Sequence, residues 1–217
     1  MAKSSRYITL ETRVAELENN LLPAVNPLGT YTPKEQDLIR AFCLLCHAEI
    51  EAYIENYASD IIDKAFNDWN SNKEVITTII FHLTFNCRTK DVPYSMVHRA
   101  YLELKKTINS NNGIKENSLT NIFRPIGFEI DPLLKSTLND FGKNRGEIAH
   151  TSFQTQSTLD PLTEKNNVKQ ILQGLIVFDE ELHNYANNGV VNNTPTNMHW
   201  NPYSFKQRLK ILFWGRI

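Results

Sequence analysis

The run TPKEQDLIRAFCLLCHAEIEAYIENYASD, residues 32–60, decides the fold. Thr32 stands where a cap belongs, Pro33 fits the first helical position, and Glu35 follows three residues after Thr32, so the stretch opens as a capping box. Leu38, Phe42, Leu45, Ala48, Ala52, Tyr53 and Ala58 then return at three- and four-residue steps to about Trp69. That period describes one long helix with an apolar stripe, the spine of a bundle.

The flanking segments repeat the pattern. Residues 5–22 carry Ile8, Leu10, Val14, Leu17 and Leu21 and read as a helix ending before Pro23, with Pro23, Pro27 and Gly29 forming a linker. Helices are expected over roughly 73–86 and 94–109, with a short helical turn near 117–123 before Pro125 and Gly127 break the period. Asp131 and Pro132 start another helix through Leu133, Leu134, Leu138 and Phe141. A last long one covers about 161–187, with Val168, Ile171, Leu172, Leu175, Val177 and Leu182 on its stripe. Nothing alternates with the period of a strand. The expected class is all-α, an antiparallel helical bundle, divided as an N-terminal helix and linker (1–32), the bundle (33–187) and a C-terminal tail (188–217).

Composition narrows the function classes. The chain has 217 residues, 41% hydrophobic and 22% charged, with a formal net charge of -1, so any site for a polyanion has to be local. No apolar run approaches the ~20 residues that span a bilayer, and the opening residues include early acidic groups with no apolar core. A cytoplasmic protein without membrane contact is expected. Cys43, Cys46 and Cys87 sit in apolar surroundings and suit reduced core thiols. Cys43-Leu-Leu-Cys46-His47 matches the attachment signature for covalent haem, but it lies inside the long helix, and no second ligand pair stands at zinc-binding spacing. No metal or other cofactor is expected, and packing is the preferred reading of these thiols.

The chemistry-bearing candidate is NRGEIAHTS, residues 144–152. A guanidinium can stabilise negative charge developing at phosphorus, and an imidazole can move a proton near neutral pH. The spacing alone has little specificity, since Arg40 and His47 on the long helix satisfy a similar pattern; there a solvated arginine and a packed histidine suffice. Arg145 and His150 differ in context. Gly142 and Gly146 flank them, each costing a helix up to about 1 kcal/mol against alanine. Close approach of another backbone or of a substrate would account for them, and so would a frayed helix end. On one regular helix Arg145 and His150 stand roughly 140° apart around the axis and about 7.5 Å apart along it. Two copies meeting across a two-fold axis would bring an arginine and a histidine from each into one cleft.

These residues resemble the HEPN superfamily, more narrowly its RiboL-PSP type. The resemblance rests on Asn144-Arg145-Gly146-Glu147-Ile148-Ala149-His150, on the lead-in from Ile126 to Asp131, and on the helix from Arg40 to Glu55; it covers about residues 33–186. It implies a HEPN-type bundle acting as a metal-independent ribonuclease, often as a toxin or antiphage effector. Arg145 would be the phosphate-stabilising residue and His150 the acid/base residue, in a composite active site of a homodimer. RNA would be the substrate, and an antitoxin or defence-system protein a further partner. Gly146 departs from the polar residue that often follows the arginine, and Asn144 and Glu147 are the candidates to replace that contact. Glu49, on the long helix, is a candidate to orient His150.

The tail HWNPYSFKQRLKILFWGRI, 199–217, interleaves Lys206, Arg208 and Lys210 with aromatic residues. It suits RNA backbone and bases, or equally a terminal helix whose aromatics pack and whose charges stay in water. Against the nuclease stands a HEPN module that binds RNA, nucleotide or a partner protein without cutting, or a helical interaction protein of another kind.

Overall fold

The computed structural model describes residues 3–72, 93–150 and 158–188. Among these residues there are six helices and no strand: α1 (Ser5–Leu21), α2 (Pro33–Asn72), α3 (Pro93–Asn109), α4 (Glu116–Ile126), α5 (Pro132–His150) and α6 (Pro161–Asn188). The fold is all-α, as the periodicity required. The helix expected over 73–86, Cys87 and the tail with Lys206, Arg208 and Lys210 lie outside the described residues. No helix among the described residues is long and apolar enough to cross a membrane.

The helices gather into two compact units. The first takes the chain through Tyr53, with Gly113–Glu116 and Asp131–Glu180; the second takes the described parts of Ile54–Asn112, with Asn117–Ile130 and the chain from Glu181.

In the first unit α1 starts because Ser4 caps it, accepting at Oγ from the Tyr7 N–H at 3.1 Å. Its buried stripe is Tyr7, Leu10, Val14 and Leu17, a clean three-and-four spacing. Ile8, expected in that stripe, is 49% exposed, because it lies about 100° around the helix from Tyr7. The capping box of α2 forms as expected: the Thr32 N–H donates to Glu35 Oε2 at 2.7 Å, and the Glu35 N–H donates to Thr32 Oγ1 at 3.3 Å.

Within the first unit α2 buries Ile39, Phe42, Cys43, Cys46, Ile50 and Tyr53, each large apolar side chain contributing roughly 1.5–3 kcal/mol. Leu45, Ala48 and Ala52 face solvent instead. Alanine is small enough to be indifferent to burial, and counting Ala48 and Ala52 as core positions drew the stripe onto the neighbouring face. Arg40, expected to be solvated, is 8% exposed, with Nη1 donating to Asp37 Oδ1 at 3.2 Å.

Two polar fasteners hold the unit's layers. Asp179 on α6, 2% exposed, accepts from the Ser4 N–H (2.8 Å), the Ser4 hydroxyl (2.6 Å) and the Tyr53 hydroxyl (2.8 Å), tying α1, α2 and α6 at one carboxylate. Gln36 exchanges both amide bonds with the backbone of Leu159, donating to its carbonyl at 2.8 Å and accepting from its N–H at 2.9 Å. Asp160 then caps α6 through the Thr163 N–H at 2.8 Å.

The second unit buries Ile54, Tyr57, Ala58, Ile61, Ile62 and Ala65 of α2 with Ala100, Leu104 and Ile108 of α3 and four residues of α4. The period was expected to break near Pro125, yet α4 runs on to Ile126 with Pro125 in its last turn. Its stop is a Schellman motif: Gly127 adopts φ +77°, its N–H donates to Arg124 O at 3.1 Å, and the Phe128 N–H donates to Phe123 O at 3.1 Å. The Phe123 and Phe128 rings meet at 5.8 Å, the apolar contact that accompanies this cap, and the Tyr185 hydroxyl donates to the freed Ile126 carbonyl at 2.6 Å.

Candidate functional site

The candidate residues sit on α5, in the first unit. Asp131 fixes its start, accepting at Oδ1 from the Leu133 and Leu134 N–H groups at 3.0 Å each, with Pro132 as the first helical residue. Leu134, Leu138, Phe141, Gly142 and Ile148 are the buried side of the helix. Arg145 lies half-buried on the flank of that stripe, and His150 is exposed at the helix's last residue. Arg145 and His150 thus share one helix and point away from a common spot, as a regular helix demands.

Of the two glycines of α5, Gly142 has a visible cause. A Cβ on Gly142 would stand 3.0 Å from Lys115 Cγ and 3.5 Å from the Lys115 backbone nitrogen; one on Gly146 would stand 3.7 Å from Lys115 Nζ. Glycine at 142 therefore admits the close approach of the Gly113–Glu116 segment, chiefly of the Lys115 side-chain stem. The Lys115 stem runs along the helix from Gly142 towards Gly146, the residue after Arg145, where its ammonium ends. Lys115 is exposed, and among the described residues no carboxylate pairs with Lys115 or with Arg145. Sequence reasoning passed over Lys115; the only signal was a pair of glycines four residues apart on one helix, which says that something crosses there but not what.

Beneath these cations lies His47. It is 2% exposed, its ring stacks on Phe141 at 5.9 Å and 28°, and Nδ1 is 3.5 Å from Glu51 Oε2. Burial pushes its pKa down to about 4, and the charges of Arg145 and Lys115 add to that effect. At neutral pH the imidazole is neutral, so its approach to Glu51 is not an ion pair. Glu51 also accepts a hydrogen bond from the Gly113 N–H, which anchors the segment carrying Lys115. The expectation of a packed histidine at 47 is met.

The sequence matches RiboL-PSP-HEPN over residues 8–184, most of its length. The chain belongs to this family. Membership points to an RNA-related function. No curated protein and no solved structure matches the chain significantly.

The remaining candidates of this RiboL-PSP-HEPN chain are spread around that centre. Asn144 is half-buried and lines an open pocket of about 330 Å³ with Thr137, Asp140, Asn167 and Gln170; it stands about 100° around the helix from Arg145. Glu147 is exposed. Glu49 accepts from Arg13 Nε at 3.2 Å, a half-exposed pair between α2 and α1. Cys43 donates to Glu164 Oε2 at 3.4 Å, and burial, reinforced by the Glu164 charge, pushes its thiol pKa up. Burial likewise raises Cys46 to about 12. Both thiols are thus held protonated in the core.

Proposed function

We propose that this HEPN chain is a metal-independent endoribonuclease, active as a homodimer, in which Arg145 and His150 from both protomers act on one RNA phosphodiester. The observation that supports it best is an arginine without a carboxylate partner among the described residues, on the same helix as a solvent-exposed histidine, in a family tied to RNA. A guanidinium not neutralised by a carboxylate keeps its charge available to an incoming phosphate.

The chemistry follows from the residue types. One His150 imidazole takes the proton of a ribose 2′-hydroxyl; the 2′-oxygen bonds to phosphorus while Arg145 stabilises the charge that gathers on the phosphoryl oxygens. The bond from phosphorus to the 5′-oxygen then breaks, and the leaving oxygen takes a proton from the second protomer's imidazolium. The products are a 2′,3′-cyclic phosphate and a 5′-hydroxyl, and DNA, lacking the 2′-hydroxyl, is spared. Since the nucleophile is the substrate's own hydroxyl, no metal-activated water is needed. The approximately 140° between Arg145 and His150 on one helix is what makes the second protomer part of the proposal.

The test is incubation of purified protein with single-stranded RNA in excess chelator, with end-group analysis of the products. Cleavage to cyclic-phosphate and 5′-hydroxyl ends by a species that sediments as a dimer is expected; intact RNA at enzyme excess would overturn the reading. A second reading, a HEPN module that binds RNA, nucleotide or a partner protein without cutting, draws on Gly146, which puts no polar side chain directly after the arginine. Equal growth inhibition in cells by the wild type and His150→Ala would favour it. In the first reading the biological role is that of a toxin or antiphage effector held by a partner protein, and growth arrest on expression should depend on His150.

A further inference from the structure

Lys115 reaches the candidate site from a segment 30 residues before Arg145, and three observations argue that its position is built. The backbone around it is pinned: the Gly113 N–H donates to Glu51, Ile114 is 1% exposed, and the Glu116 N–H donates to Asn139 Oδ1 at 3.2 Å. The Glu116 carboxylate is in turn held by Lys135 at 2.9 Å, so the carboxylate next to Lys115 in the chain is committed elsewhere. The side chain then packs closely over Gly142, where a Cβ would stand 3.0 Å from its Cγ, and its ammonium ends 3.7 Å from where a Cβ at 146 would be.

The destination is the third observation. The Lys115 ammonium ends at Gly146, the residue after Arg145, so both cations belong to the same turn of α5. Neither has a carboxylate partner among the described residues. The anchored backbone and the close fit of the stem at Gly142 carry the lysine to this turn of the helix. Two like charges on one turn, with no carboxylate paired to either among the described residues, form a seat for an external anion.

We infer that Lys115 is a second phosphate-binding residue of this site, its ammonium and the Arg145 guanidinium together seating one RNA phosphodiester. The division of labour suits the two groups: the guanidinium presents a planar fork to two phosphoryl oxygens, and the ammonium supplies a compact charge to a third position. Glu51 and Gly142 act as positioning residues for Lys115. The inference rests on the proposed RNA substrate, but not on cleavage, because seating a phosphate and breaking it are separable.

The experiment measures binding of a fluorescein-labelled single-stranded RNA oligonucleotide by anisotropy across a sodium chloride series, in the dimeric His150→Ala protein so that the RNA stays whole. Lys115→Met keeps the aliphatic stem over Gly142 and removes only the charge. The expected result is a binding constant about fivefold to tenfold weaker at low salt. The log–log salt slope should fall by about 0.7 for each phosphate that the ammonium no longer neutralises. Lys115→Arg should restore most of both, and urea midpoints should be unchanged. An unchanged slope and affinity in Lys115→Met overturns the inference, as does absence of RNA binding by the parent protein. Cleavage by the wild type is scored separately, so a failed nuclease reading leaves this result readable.

Discussion

Asp179 and Arg145 are both charged groups in the same unit, and the fold treats them in opposite ways. The carboxylate is 2% exposed and receives three donors at 2.6 to 2.8 Å, from Ser4 and Tyr53. The guanidinium is half-buried on the turn of α5 where a second cation ends, with no carboxylate on either among the described residues. A saturated charge fastens elements together, since every donor aimed at it would be orphaned by its loss. A charge with no carboxylate paired to it fastens no second element and keeps its head available to a ligand. The comparison divides the molecule into residues whose removal should unfold it and residues whose removal should only silence it.

The largest effect should come from the silent side. His150→Ala removes an exposed side chain at a helix end, so the urea midpoint should not move, while the cleavage rate should fall on the order of 10²- to 10⁴-fold. A fall in both would mean that His150 belongs with Asp179. The mirror experiment is Asp179→Ala, which strips three charge-assisted donors of their acceptor. It should cost roughly 3–5 kcal/mol in urea unfolding and leave the turnover of the molecules that still fold unchanged.

His47 sharpens the boundary, because it touches both regimes: packed like a core residue, yet under the field of the two cations. Its folded pKa, about 4, lies below the ordinary histidine value, so as pH falls the unfolded chain takes up the proton first. The stability that a neutral His47 brings is present above the unfolded value and is lost between about pH 6.5 and pH 4. On that window the loss should be on the order of 1–3 kcal/mol, seen as a falling urea midpoint, and His47→Phe should flatten it. A wild-type midpoint that stays level from pH 7 to pH 4.5 would remove His47 from the core.

What the sequence revealed of all this depended on range. The capping box at Thr32 and Glu35, the start of α5 at Asp131-Pro132 and the six helices themselves obey rules that act within four residues, and they were legible. The phase of α2 was not, because its alanines carry no signal for either face; the buried side is declared by Ile39, Cys43, Cys46 and Ile50. Arg40 was misplaced for a related reason, since nothing local distinguishes an arginine whose stem is covered from one in water. Of the candidate site, the arginine and histidine could be picked out by residue chemistry and by the flanking glycines. Lys115 could not, because it arrives through a tertiary contact that no spacing rule encodes.

The smallest predicted effect is also the one that separates two uses of glycine. At 142 a Cβ collides with the Lys115 stem at 3.0 Å, and packing alone explains the residue. At 146 the nearest foreign atom would be the Lys115 ammonium at 3.7 Å, an ordinary contact, and the backbone is helical. Packing therefore gives no reason against alanine there, and Gly146→Ala should raise stability by about 0.5–1 kcal/mol through helix propensity and reduced freedom of the unfolded chain. If the residue is bare so that an RNA backbone can approach Arg145, the same substitution should lower cleavage and weaken RNA binding while the urea midpoint rises. Opposite movement of stability and activity at a single added methyl would assign Gly146 to the substrate side of the molecule. A variant that gains stability and cuts as well as before would instead make position 146 an idle place in the helix and would put the seat for the phosphate further along Lys115.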